Sequence, residues 1–269
     1  MRNGGWKLAN LAVSFAFLGA FAALAAPARA STPGSNAGEN TAVTAIPAGT
    51  ILPMTLNSPV SFEKSKAGQI VRGKIAQGVT LPNGSKIPKG TKVQGTIVEI
   101  GPATNGSGTK LALKFDKVFL GGQWVPVVTD LRAIAGFVAV QQATAPDEAP
   151  NEGTPYEWLP TTQIGGDTVF GLGGPVANAQ SETIGKSERD GVVGRVSANE
   201  GEKCRGEIDG NYSMQSLWVF SSDACGTYGI KNLKIEHAGR TEPMGQIVLL
   251  AENPKVKLRE GDGLLLRSN

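Results

Sequence analysis

The 269-residue chain has one histidine, two cysteines and few aromatics. One imidazole and two thiols do not make a standard zinc set without carboxylates, and no C-x-x-C or H-x-x-x-H pair occurs. The C-x-x-C-H haem attachment motif is also missing. So is the G-x-S-x-G elbow of serine hydrolases. Gly165–Gly174 (GGDTVFGLGG) is rich in glycine, but its spacing is not that of a dinucleotide or phosphate loop. Asp167-Thr168-Val169 lacks the glycine of an aspartic protease loop. Acid pairs such as Glu148 and Glu152 fall in a proline-rich stretch, where they read as solvated charge. The expectation is no catalytic residue, no metal site and no cofactor.

Long apolar runs are scarce as well, with one exception at the start. Arg2 and Lys7 precede an uncharged run from Leu11 to Ala26, and Pro27 ends it. Ala28-Arg29-Ala30 then sets small residues at the −3 and −1 positions before Ser31. This is the pattern of a cleavable secretory signal. The run is sixteen residues long, short of the about 20 that a spanning helix needs. Residues 1–30 are thus expected to be a signal peptide, with the mature protein periplasmic or secreted and free of a membrane span. Arg2, Lys7 and Arg29 lie in this leader and no acid does, so the 26 basic residues fall to 23, equal to the 23 acids. A balanced mature chain lacks the long-range attraction on which nucleic-acid binding relies, and no nucleic-acid partner is expected.

What the chain has is glycine (36 residues) and proline (16) between short apolar runs. That distribution reads as all-β. Residues 31–45 are small and polar, a flexible lead-in. Residues 46–140 carry a run of strand patterns and read as a small β-barrel. Residues 141–160 shift to Ala, Pro, Glu and Gln and read as a linker or long loop. Residues 161–269 form a second, β-sandwich-like domain. Asn83-Gly84 is expected to make a type I′ turn, and Gly121-Gly122 a two-residue hairpin loop. Lys110–Leu120 alternates, with Leu111, Leu113 and Phe115 on one face, then changes phase at Val118 and Leu120; a β-bulge would absorb the slip. Ala133–Val140 is expected to close the first block as a strand. Leu217–Phe220 (LWVF) reads as a buried strand, and Asn232–His237 as an alternating one with Leu233, Ile235 and His237 inward. Trp124 and Trp218 are expected in the core. Trp158 and Tyr156 are expected to pin the loop, with stacking on a sugar or a partner as the alternative.

The first block carries particular motifs: Ala48-Gly49-Thr50, Gly68 ahead of a strand, Ile87-Pro88-Lys89-Gly90-Thr91, and Gly95. On these residues the stretch 48–129 resembles the periplasmic β-barrel domain of TrbI-like conjugation and type IV secretion proteins. The resemblance implies a barrel, an envelope setting and, in that family, membership of a ring assembly.

Cys204 and Cys225 are twenty-one positions apart. In an oxidising compartment such a pair most simply forms one disulfide. The competing possibility makes Cys225 a nucleophile, in Asp223-Ala224-Cys225-Gly226, with His237 as its base. The functional expectation is an exported, non-enzymatic envelope or secreted protein that binds a protein or a surface polymer. The alternatives are a subunit of an envelope assembly and a cysteine-dependent hydrolase or transferase.

Overall fold

The computed structural model describes residues 45–103, 108–147, 151–155, 158–197, 204 and 213–269. The expected signal peptide, nearly all of the lead-in, Glu148 and Tyr156 lie outside the described residues.

The fold is nearly all β. The chain runs through β1 (Ile51–Leu56), β2 (Val60–Ser61), β3 (Ile70–Ile75), β4 (Val79–Thr80), β5 (Lys86–Ile87), β6 (Lys92–Pro102), β7 (Thr109–Leu120), β8 (Gln123–Pro126) and β9 (Thr129–Ala135). Helix α1 (Phe137–Gln142) follows. Next come β10 (Pro160–Thr162), β11 (Thr168–Phe170), β12 (Pro175–Ala177), β13 (Thr183–Glu188), β14 (Gly191–Arg195) and β15 (Met214–Ser216). The last are β16 (Gly226–Tyr228), β17 (Leu233–Ile235), β18 (Ile247–Ala251), β19 (Lys257–Leu258) and β20 (Gly263–Ser268). Among the described residues no helix is long and apolar enough to cross a membrane.

Ten strands form one sheet in the order β16-β9-β20-β1-β3-β6-β7-β18-β17, with β8 paired to β7 beside this path. Strands from both ends of the chain therefore share it. Laid flat, nine strands at about 4.8 Å spacing would span roughly 38 Å. Yet β16 ends at Tyr228 and β17 begins at Leu233, and so short a link reaches about 17 Å at most. The sheet must curl until its two outer strands approach. It is not a closed barrel, because no ladder joins β16 to β17 among the described residues. The concave side holds the main core, including Met54, Ile75, Ile97, Leu113, Phe115 and Leu131.

The three strands β9, β20 and β1 are buried on both faces. In β20, Leu264 and Leu266 face the main core, whereas Leu265 belongs to a second core with Ala133, Ala135 and Ile51. That second core is completed by Val140 of α1 and by Val176, Val192, Leu217 and Phe220. Here the other sheet packs, an antiparallel meander from β10 to β15 in chain order. The remaining pairs, β19 with β2 and β4 with β5, are two-stranded.

Local geometry matches several expectations. Phe115 pairs with Gly95 and Lys117 with Gln94, so Asp116 is the extra residue of a bulge where the apolar phase changes. The carbonyls exposed there are used: Phe115 accepts the Thr129 hydroxyl at 2.8 Å, and Asp116 accepts Val127 N–H at 3.0 Å. Gly121 and Gly122 both have positive φ and close the β7–β8 hairpin from Leu120 to Gln123. Gly95 sits so close to β7 that a Cβ would lie 2.1 Å from the Lys114 carbonyl oxygen.

Other expectations are corrected. The loop at Asn83-Gly84 runs from Leu81 to Ser85, with Gly84 alone at positive φ and its N–H on the Leu81 carbonyl, so it is not a two-residue type I′ turn. Residues 137–142 are helical because the strand ends at Gly136, whose N–H is taken by Tyr228. Residues 217–220 form a turn: Phe220 N–H bonds the Leu217 carbonyl and Trp218 has φ +56°. Leu217 and Phe220 are buried as the ends of that turn rather than as strand residues.

Candidate functional site: a cleft beside helix α1

Cys204 and Cys225 are joined in a disulfide, with Cα atoms 5.7 Å apart, and no free cysteine exists. Both are buried in a small cluster with Ala238. Cys225 N–H donates to the Tyr228 hydroxyl at 3.0 Å. His237 does not continue the alternation of β17, which stops at Ile235; it occupies a turn with φ +58°. So bonded, Cys225 carries no thiolate to attack a carbonyl. Among the described residues, no three of His, Cys, Asp and Glu gather as a metal set.

A polar cluster lies beneath the disulfide. Arg132 is the extra residue of a second bulge, where β20 steps from Leu265 opposite Ala133 to Leu266 opposite Leu131. It is 2 % exposed. Burial, and then the neighbouring Arg267 charge, lower its pKa to about 10. One guanidinium nitrogen reaches the Ser197 carbonyl at 3.4 Å. Asp130, also buried, accepts the Thr241 hydroxyl and so ties down the 241–245 loop. The Tyr228 pKa is raised, chiefly by burial. Arg132 and Asp130 are enclosed, and with partly buried Tyr228 they organise the junction of β9, β20 and the disulfide.

The chemistry accessible to solvent lies elsewhere. A cavity of about 410 Å³ opens at the C-terminal end of α1, lined by Thr144, Thr161, Gln163, Lys89, Asp190 and Trp218, among others. Lys89, from the Ile87-Pro88-Lys89-Gly90-Thr91 turn, meets Asp190 of the β13–β14 turn at 2.6 Å. Both side chains are about half exposed, so the pair contributes little to stability. It leaves a cation and an anion side by side on the rim.

Gln163 carries the sharpest feature. It is 4 % exposed, and its amide nitrogen donates to the Phe220 carbonyl at 2.8 Å. That bond fixes which end of the amide is which. Its oxygen is then left buried with no hydrogen-bond partner. An unsatisfied buried acceptor costs about 1–3 kcal/mol, and here it belongs to a residue that lines a cleft. Asp167 closes the same loop by accepting Ser222 N–H at 2.7 Å, while burial raises its pKa.

The β10–β11 hairpin beside the cleft is apolar on its outer side. Phe170, on the face opposite the cleft-lining Val169, is 51 % exposed, and Trp158, two residues before the Pro160 that pairs with Phe170, is 68 % exposed, whereas Leu172, 54 % exposed, lines the cleft itself. Trp158 therefore does not pin a loop to the body. Trp124 departs from expectation too: it is 43 % exposed on β8 and packs edge-on against Phe119 at 5.3 Å. Trp218 is partly buried, against the second core. Sequence reasoning missed Gln163, Lys89 and Asp190, whose shared cleft depends on contacts across 57 and 101 residues.

No family model matches the chain, and no curated protein or solved structure matches it.

Proposed function

We propose that the protein is an exported, non-enzymatic envelope or secreted component that binds a surface polymer, a glycan, through the cleft beside α1. The observation that carries this reading is a cleft lined by Gln163, whose amide oxygen has no partner, together with the Trp218 ring and exposed Leu172. A sugar offers hydroxyl donors for a buried acceptor and apolar C–H faces for aromatic rings, and exposed apolar patches of this kind mark interaction sites. The hydroxyls of Thr144 and Thr161 and the Lys89–Asp190 pair add donors and acceptors around the opening.

The leader pattern of residues 1–30 and the disulfide support export. The likeness of residues 48–129 to TrbI-like domains supports a periplasmic setting, with a barrel-like large sheet, shared by early and late strands, presenting the smaller meander as a sandwich-like layer. The same likeness favours a second reading, a subunit of an envelope assembly, which sizing would reveal as a large ring.

The test is co-sedimentation with insoluble envelope polysaccharide, for the wild type and for Leu172→Ala, at an exposed position of the cleft lining. The wild type is expected to sediment, and the variant to bind at least about tenfold more weakly with an unchanged melting curve. A wild type that stays in the supernatant, or a variant that sediments equally well, would overturn the reading.

A further inference from the structure

Helix α1 has a second cavity at its other end. It measures about 390 Å³, and Phe137 and Val138 stand on its edge. Four cations line it: Lys231, from the link between β16 and β17, and Lys255, Lys257 and Arg259 around β19. The last three alternate with Val256, packed against the main core, and with Leu258, 1 % exposed. Alternation along β19 thus sends Lys257 and Arg259 to one side, and Lys255, in the turn before it, lines the same cavity.

None of the four joins an ion pair among the described residues, although five other lysines do. One carboxylate lies among them, Asp262, and it is 2 % exposed. Its two oxygens accept backbone N–H groups, from Phe137 at 2.8 Å and from Arg259 at 2.7 Å. Asp262 therefore fastens the start of α1 to the β19–β20 turn and shapes the cavity floor. Four positive charges around one small concavity, against one engaged carboxylate, focus a positive potential there.

We propose that this pocket binds a phosphate group carrying two or more negative charges. A singly charged carboxylate would leave most of the cationic charge unmatched. Three ammonium groups and a guanidinium supply the charge-assisted donors that a phosphate's oxygens accept. The volume lies near the small end of the roughly 300–1,000 Å³ range of ligand pockets, room for a phosphate and a small attached group. Phe137 and Val138, 46 % and 65 % exposed, offer apolar contact to the carbon next to it. A soluble phosphate ester and a phosphomonoester lipid headgroup present the same oxyanion. The glycan reading of the other cleft plays no part in this inference.

The experiment titrates the protein with inorganic pyrophosphate by calorimetry at low ionic strength. A parallel arm sediments it with vesicles of phosphatidic acid in phosphatidylcholine and with phosphatidylcholine alone. Lys255→Gln combined with Lys257→Gln is the test variant; Lys64→Gln with Lys66→Gln removes the same charge elsewhere. Binding of pyrophosphate, or of phosphatidic acid vesicles only, supports the site and identifies a soluble or a lipid source respectively. In either arm the test variant is expected to bind at least about tenfold more weakly, with the control variant unchanged and both melting as the wild type does. Absence of binding in both arms, or equal loss in the two variants, overturns the proposal.

Discussion

The side-chain oxygen of Gln77 accepts the backbone N–H of Trp218 at 2.6 Å, across 141 residues of sequence. Gln77 is 2 % exposed, and beside it the Gly78 carbonyl accepts the Ser216 hydroxyl at 2.7 Å. The loop after β3 thus clasps the turn that walls the α1 cleft. Trp218 sits at φ +56°, a conformation that needs support from its surroundings. Gln77→Ala leaves the Trp218 N–H without its acceptor and should destabilise the fold by about 1–3 kcal/mol. Urea unfolding measures this; an unchanged midpoint would remove Gln77 from any such role.

Asp262 makes stability depend on pH. Burial is the main cause that raises its carboxyl above the ordinary 3.8. The folded state therefore holds the proton more tightly than the unfolded one. Ionised Asp262 is a cost at neutral pH, and that cost disappears as pH falls through the raised value toward 3.8. Asp262→Asn abolishes the titration. The stability of the wild type relative to the variant should accordingly be greater near pH 4 than at pH 7. Urea midpoints at the two pH values decide it, and a flat or opposite trend would contradict the assignment.

Two glycines of one strand separate close approach from mere permissiveness. At Gly95 a Cβ would lie 2.1 Å from the Lys114 carbonyl oxygen, whereas at Gly101 it would meet nothing within 4 Å. Gly95→Ala should cost about 1–3 kcal/mol or more as β6 is pushed from the bulge. Gly101→Ala should stay within about 0.5 kcal/mol of the wild type. Thermal melts of the pair test the crossing, and equal effects would argue against it.

The disulfide is the remaining lever. Opening the loop between Cys204 and Cys225, twenty-one positions apart, should cost about 3 kcal/mol in the chain-entropy model. For a protein of this size that corresponds to a melting point lower by roughly 6–12 °C. Intact mass after alkylation without reductant should show no label on either cysteine. A labelled Cys225 in native protein would restore the case for a nucleophile at that position.

Features set by neighbouring residues were legible in the sequence. The phase change after Phe115 called for a bulge, and the structure puts it at Asp116. Gly121-Gly122 placed a hairpin loop, and two cysteines left one possible pairing. Helix α1 was not legible, because six residues (FVAVQQ) are too few to display a 3.6-residue period and two of them are β-branched. The LWVF run misled for a related reason: burial at both ends of a turn leaves the same apolar signature as a short strand. The clefts were invisible because their walls come from distant segments, Lys89 with Asp190 and Lys231 with Lys255–Arg259.

Strand β20 lies between β9 and β1 in the large sheet, and its flanks are tied by Gly49 N–H to the Ser268 carbonyl at 2.8 Å. In chain order it follows every other strand of that sheet. A nascent chain must therefore hold two apolar strand edges unpaired until Gly263–Ser268 emerges. Completion of the sheet is slowed by the long loop that each such pairing closes. A chain stopped before residue 263 would expose β1 and β9 as sticky templates, which makes aggregation rather than a smaller stable fragment the fate of truncation.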